Sequence, residues 1–280
     1  MKILINGAEF TVNGSVFSPF WSDLNSGAWE QETFDIIDYF VKDDSKTMDI
    51  GCWIGPISLY MAAKGARVYS IDPDPIAYNI FVENLNLNPS LKLLINPFNI
   101  ALTPNDQDVI LFARQEYGNS STSILKRTRD NLSSVIDNGI NLENFINTAN
   151  ILHLDFIKMD IEGAEFELLP DILPAIEKLG LPTLFVSFHY SYLNEYIYHK
   201  TLKNRDISLI LMKLENFLGF YLFKSKLLAA LGKSVQIAGK YSFIYTDSGE
   251  QILHEELTPG RLLRKKLNLV FTNREWIKQG

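Results

Sequence analysis

Two short stretches about twenty residues apart constrain this chain most. Thr47-Met48-Asp49-Ile50 is apolar but for one acid and opens into a glycine turn, Gly51-Cys52-Trp53-Ile54-Gly55-Pro56. A largely apolar run with helical character carries the chain to Gly65, and Arg67-Val68-Tyr69-Ser70-Ile71 then ends at Asp72. Strand, glycine turn, helix, strand and acid make a βαβ unit, whose parallel strands cross over right-handed. An acid before the turn, glycines that admit a ligand to the backbone, and a second acid about 20 residues on point to a nucleoside site.

The turn also narrows the nucleoside. Gly51-x-x-x-Gly55 is neither the Gly-x-Gly-x-x-Gly of a pyrophosphate seat nor a phosphate loop. An acid at this point repels phosphate and attracts a sulfonium or a free amine, while Asp72 is placed to accept hydrogen bonds from ribose hydroxyls. The combination points to S-adenosylmethionine, with S-adenosylhomocysteine as its product. An NAD-dependent oxidoreductase or epimerase is the rival reading, and a non-catalytic nucleoside-binding protein is a second.

Around this unit the chain alternates strand and helix from Thr47 to His189, the pattern of a doubly wound, mainly parallel Rossmann-like sheet in an α/β protein. Ligands of such sheets lie beyond the carboxyl ends of the strands, where Asp49, Asp72, Asn99, Asp160 and His189 all fall. Lys2 to Val12, around Asn6-Gly7, reads as a β-hairpin or short edge strands that cap the domain. Ser18 to Glu32 reads as an irregular aromatic loop, with a helix over 32–41. A third strand is expected within 91–102 and another at 109–113; a polar loop at 118–123 is a candidate cofactor or substrate loop, and a weakly helical stretch should run from there to Asn150. A long helical region to about Lys233 and two last strands, 241–246 and 267–271, complete a single domain. Its parts are an N-terminal β cap (1–45), a cofactor-binding core (46–190) and a C-terminal helical extension (191–280).

The formal net charge of −7 over 280 residues argues against a duplex nucleic-acid partner, and no nucleic-acid partner is expected, though the balance leaves room for a local basic patch. The single cysteine, Cys52, cannot form an internal disulfide, and the opening apolar run is too short for a signal peptide, so a cytoplasmic location is expected. Charged and amide residues interrupt the apolar stretch 207–231, which argues against a transmembrane segment but leaves room for an amphipathic helix that meets a membrane or a partner.

A second signature lies downstream: Phe156-Ile157-Lys158-Met159-Asp160-Ile161-Glu162-Gly163-Ala164-Glu165. Together with Met48 to Gly55 and Ser70-Ile71-Asp72-Pro73, this Lys-x-Asp-x-Glu-Gly-x-Glu run resembles the FkbM family of S-adenosylmethionine-dependent methyltransferases. Trp29-Glu30 is similar to the family's entry segment, and the resemblance covers roughly residues 28–190. It implies O-methylation of a sugar, glycan or other hydroxylated small molecule. It also implies that Asp49, Gly51 and Gly55 line the methionine side, that Asp72 holds the ribose and that Asn99 to Ala101 lie near the adenine, with Trp29, Glu30, Pro73 and Asp160 as further cofactor-binding residues.

A hydroxyl acceptor must lose a proton during methyl transfer. His189 is the first choice of base, as a neutral imidazole near pH 7, with Asp160 and Glu162 as its partners. A divalent metal on the same three residues is possible but not predicted, because where the family's strand ends in Glu-x-His this chain has Ser187-Phe188-His189. Simpler roles stand beside these: acids favour helix N-termini, a lone histidine is more often structural, and Cys52 and Trp53 are expected to pack rather than react.

Overall fold

The computed structural model describes residues 1–263 and 267–277, and for residues 135–138 the backbone alone. The chain opens with a hairpin, β1 (Lys2–Ile5) and β2 (Ala8–Thr11), turning at Asn6-Gly7 as the sequence predicts. The stretch expected to be irregular holds a helix, α1 (Ser18–Asn25), with Pro19 in its first turn and Trp21 and Leu24 buried. Proline at a helix start costs nothing, since that N–H has no intrahelical partner. α2 (Gln31–Phe40) follows and leads into β3 (Lys46–Ile50), α3 (Pro56–Ala63), β4 (Arg67–Ile71) and α4 (Pro75–Asn86).

Beyond them the expected third strand begins later. Pro89 starts a short helix, α5 (Pro89–Lys92), and the strand is β5 (Ile95–Phe98), followed by β6 (Ala101–Leu102) and β7 (Gln107–Ala113). The weakly helical reading of the segment to Asn150 fails over its middle. Leu132–Ile140 is a strand, β8, which pairs antiparallel with β7 and parallel with β6 in a separate three-stranded sheet. Ser133, Ser134, Val135 and Ile136 find their hydrogen bonds across a ladder rather than along a helix; only α6 (Leu142–Thr148) is helical. The chain then forms β9 (Phe156–Met159), α7 (Glu165–Lys178), β10 (Thr183–Phe188), α8 (Tyr190–Leu202), α9 (Arg205–Leu218), α10 (Lys224–Ser234), β11 (Phe243–Thr246) and β12 (Leu267–Thr272).

The central sheet has seven strands in the order β11-β12-β10-β9-β3-β4-β5. β10, β9, β3, β4 and β5 are parallel, and β12 runs antiparallel to both its neighbours. Alternation along each strand sends side chains to two faces. Met48, Ile50, Ile157, Met159, Leu184 and Val186 join the core under α6, α7 and α10, whereas Phe156, Val68 and Phe185 join the core under the hairpin, α2, α3 and α4. Among the described residues no helix is long and apolar enough to cross a membrane.

Candidate active site

The order of the strands puts the two sequence signatures side by side, because β3 pairs with β9 in the register Asp49↔Lys158. Period-two alternation then turns Asp49 and Lys158 to the same face, under α3. Both are buried, and they belong to a polar track that crosses an otherwise apolar layer. Ser70 Oγ donates to Ser58 Oγ (2.8 Å), Ser58 Oγ donates to Asp49 Oδ2 (2.6 Å), and Lys158 Nζ stands 3.4 Å from Asp160 Oδ2. Burial lifts the Asp49 carboxyl above its ordinary range, against the pull of Lys158 and the Ser58 hydroxyl. Burial pulls Lys158 the other way, yet the Asp160 and Asp49 carboxylates outweigh it and hold the ammonium charged. Lys158 is thus the counter-charge of the cluster, in keeping with a buried, paired role. Asp49 lies inside its strand rather than after it, and its Oδ1 has no hydrogen-bond partner among the described residues.

Gly51 makes the junction possible. Its backbone is left-handed (φ 83°), and a Cβ there would lie 1.9 Å from the Asp160 carbonyl oxygen, so only glycine lets the two turns meet. Its N–H and that of Cys52 bond to the Ile71 carbonyl at the end of β4. The next residue, Trp53, is also left-handed (φ 50°) and donates its N–H to Asp72 Oδ2 (2.8 Å); the Asp74 N–H donates to the other oxygen (2.9 Å). Burial pushes the Asp72 carboxyl up to about 7, with the Asp74 and Asp49 charges adding to it and the two N–H donors opposing it.

Two adjoining clefts open along these turns and share Gly51, Trp53, Ser120, Asp160 and Glu162. The first is lined by Asp72, Pro73, Ala101 and the 119–124 loop, the second by Trp29, Asp49, Cys52 and Lys158. Most of the residues singled out by sequence therefore gather in one groove. Four take other places: His189, at the next cavity, and three others. Gly55 faces the Phe81 ring, which a Cβ would approach to 2.1 Å, so it is a packing glycine at the start of α3. Asn99 donates to the Asp72 carbonyl (2.9 Å) and braces the strand end rather than lining the groove. Glu30 starts α2 in a left-handed conformation (φ 40°), and its charge acts on Lys158. The polar loop at 118–123 is fastened: Gly118 N–H donates to Asp74 Oδ2, Trp53 Nε1 donates to the Gly118 carbonyl (2.6 Å), and fully buried Arg127 donates to the Ser121 carbonyl while paired with Asp130.

At the carboxyl end of β9 and β10, His189 Nε2 lies 3.6 Å from Asp160 Oδ1 and 4.0 Å from Glu162 Oε2. On its other side Nδ1 is 3.3 Å from Glu165 Oε1, an ion-pair contact. Glu165 is fully buried and also accepts the backbone N–H of Gly163 (2.8 Å) and of His189, so it holds the imidazole in place as well as opening α7. The Tyr192 ring stacks on the imidazole, 5.5 Å between centroids and 8° between planes. Burial disfavours the imidazolium, but the Glu165, Asp160 and Glu162 carboxylates raise it to about 10. Three acids around one ring thus favour the imidazolium over the neutral form that a base requires. Glu162 faces the same imidazole nitrogen as Asp160. It sits in a left-handed turn (φ 57°), burial pushes its carboxyl up to about 7, and Oε2 has no hydrogen-bond donor among the described residues. Asp160, Glu162 and His189 each offer one atom, all within 4.8 Å of one another, a spacing that would admit a divalent cation. Lys158 and the imidazolium already supply two positive charges there.

Beyond His189 a third cavity is lined by Tyr190, Tyr192, Asn194, Glu195, Glu215 and Tyr221, among others. Sequence reading missed Tyr192, Glu195 and Arg127. They lie on a helix face and in a loop with no motif, and only the fold brings them to this end of the sheet.

This strand order and its parallel core define a Rossmann-like α/β protein. The model of the methyltransferase FkbM domain matches residues 49–206, and the chain belongs to the FkbM methyltransferase family. A curated relative, the ribosomal protein L11 methyltransferase of Ruminiclostridium cellulolyticum, is 39% identical over 57 residues, which is 20% of this chain and only 18% of that relative's length. Among solved structures, methyltransferase FkbM from Methylobacillus flagellatus is 21% identical, with 82% of this chain and 44% of that one covered at a TM-score of 0.39. Aeropyrum pernix fibrillarin, crystallised with natively bound S-adenosyl-L-methionine, is 8% identical over 97% and 81% of the two chains, with a TM-score of 0.43.

Proposed function

We propose that this protein is an S-adenosylmethionine-dependent O-methyltransferase acting on a hydroxyl of a sugar, glycan or similar small acceptor. The carrying observation is the place of Glu162, a buried carboxylate without a donor, where the groove of the two nucleoside turns meets the cluster around His189. The groove suits the cofactor: Asp72 offers two carboxylate oxygens toward ribose hydroxyls, and Asp49 and Glu162 each keep a buried oxygen in need of a cation or donor. When bound, S-adenosylmethionine supplies an electrophilic methyl group; the S–C bond breaks with its electron pair left on sulfur as the O–C bond forms.

Every other part falls to the chain. Glu162 takes the hydroxyl proton, its carboxyl poised near neutral pH where general-base catalysis works best. His189, held by Glu165 and stacked on Tyr192, stays an imidazolium that balances the acids and keeps Glu162 ionised. Lys158 keeps Asp49 and Asp160 from repelling each other. In the third cavity, tyrosine faces together with the unpartnered Asn194 Oδ1 and Glu195 Oε2 match an acceptor rich in hydroxyls.

Calorimetric titration with S-adenosylhomocysteine, followed by product formation over a panel of hydroxylated acceptors, tests this reading. Glu162→Gln should keep cofactor affinity and lose roughly 100-fold or more in turnover. Binding of NAD with no binding of S-adenosylhomocysteine would overturn the cofactor assignment, and full turnover in Glu162→Gln the assignment of the base.

A further inference from the structure

The α9 helix packs on α8 and buries a narrow face. Ser208, Met212 and Glu215 point inward, where Glu215 accepts from Asn194 Nδ2 (2.9 Å) and from the Leu222 N–H (2.8 Å). Its outer face carries Ile207, Ile210, Leu214, Phe217 and Leu218, spaced by three and four residues so that they form one stripe. All five are exposed, Phe217 at 84% and Leu218 at 61%. The loop after the helix prolongs the stripe with Phe220 and Leu222. A helix of this length runs about 21 Å, so the apolar strip is far larger than scattered surface leucines would make.

Charge identifies what covers it. Residues 200–240 hold eight lysines and arginines against two acids, in a chain whose net charge is −7. One of those acids, Glu215, is buried and faces away from the stripe. Lys203, Arg205, Lys213, Lys224 and Lys226 are exposed around the strip, with Asp206 the exposed acid among them. Two copies of this face brought together about a two-fold axis would set these cations against their own counterparts. An anionic lipid surface complements both features at once, the stripe entering the boundary between headgroups and acyl chains while the cationic rim meets the headgroups.

We propose that α9 and the loop to Leu222 form an interfacial docking surface for an anionic phospholipid bilayer. Met212, Glu215 and Asn216 of the same helix line the cavity beyond His189, so docking brings that cavity within about one helix diameter, roughly 10 Å, of the lipid. Docking of this kind depends neither on the acceptor's identity nor on the reaction.

Flotation of the full chain with phosphatidylcholine vesicles, with and without phosphatidylglycerol, tests it. The protein should float with the anionic vesicles, be released by added salt, and bind phosphatidylcholine alone weakly. Phe217→Ser/Leu218→Ser should lower the bound fraction about tenfold or more, and Lys213→Glu/Lys224→Glu should lower it on anionic vesicles only, both with unchanged circular dichroism and unchanged S-adenosylhomocysteine affinity. No flotation of the wild-type chain, or flotation insensitive to both variants, would overturn the proposal. So would a wild-type dimer in sedimentation that Phe217→Ser/Leu218→Ser converts to monomer, since the stripe would then be a protein interface.

Discussion

Removing the charge of Asp72 tests the ribose assignment through the dependence of stability on pH. In the folded protein the carboxyl is pushed up from 3.8 to about 7 by burial. A group whose folded pKa is raised holds its proton where the unfolded chain has released it. Its stabilising contribution is therefore complete below the unfolded value and is lost as pH rises through about 7. Between about pH 5 and pH 8 the loss from Asp72 alone is about 2–3 kcal/mol, since a proton kept by the folded chain alone costs about 1.4 kcal/mol for every pH step of one. Glu162 and His189, both raised, add slopes of the same sign, so the informative quantity is a difference between proteins. Urea unfolding of the wild type and of Asp72→Asn at the two pH values should show the variant losing less stability on going to the higher pH, by that amount. Ligand should act oppositely. Ribose hydroxyls donate to the ionised carboxylate, so the rise in melting temperature on adding S-adenosylhomocysteine should be larger at pH 8 than at pH 5 in the wild type and nearly level in the variant. Equal pH slopes for the two proteins would refute both the burial argument and the place given to Asp72.

Replacing Lys158 by methionine takes the buried counter-charge away from Asp49 and leaves Asp160 to its other partners, and should cost about 3–5 kcal/mol in urea unfolding; adding Asp49→Asn should restore part of it, and a loss below about 1 kcal/mol would show that the ammonium is not the counter-charge. Gly51→Ala meets both a left-handed backbone and the Asp160 carbonyl. It should destabilise by about 2 kcal/mol or more and weaken S-adenosylhomocysteine binding in the same calorimeter, whereas unchanged binding would mean that the two turns need not touch. Treatment with a chelator should leave the turnover rate within about twofold, since residues of the chain supply the charges of the cluster; a loss reversed by adding a divalent ion would make Asp160, Glu162 and His189 its ligands.

Local pattern accounts for how much of the fold and site the sequence shows. Asp49, Gly51 and Asp72 are visible because one supersecondary unit fixes their spacing within about 25 residues. Lys158 to Glu165 is visible because the family run is contiguous. Leu132–Ile140 escapes because Ser133, Ser134, Asp137 and Asn138 favour turns as readily as strands, and pairing with the seven-residue β7 decides the matter. The charge environment of His189 is hidden for the same reason. A histidine at a strand end reads as a neutral base, but its protonation depends on Glu165, Asp160 and Glu162 converging on it across two turns and a helix start.

That convergence explains why the two signatures function as one. Strand order places β9 beside β3, register sets Lys158 opposite Asp49, and alternation sends both beneath α3, where neither charge would be tolerated alone. The lysine thus permits two acids, Asp49 and Asp160, at adjacent strand ends, and the glycine at 51 permits those ends to touch. Once the acids are crowded in this way, the protein must retain protons or bind a cation to relieve them. His189 and Asp72 retain protons in the free chain, and a sulfonium donor brings the cation. Donor binding and acid ionisation are therefore linked. In the free protein the ionised site should grow less stable as pH rises, and the bound donor should offset that loss most where the acids are fully charged.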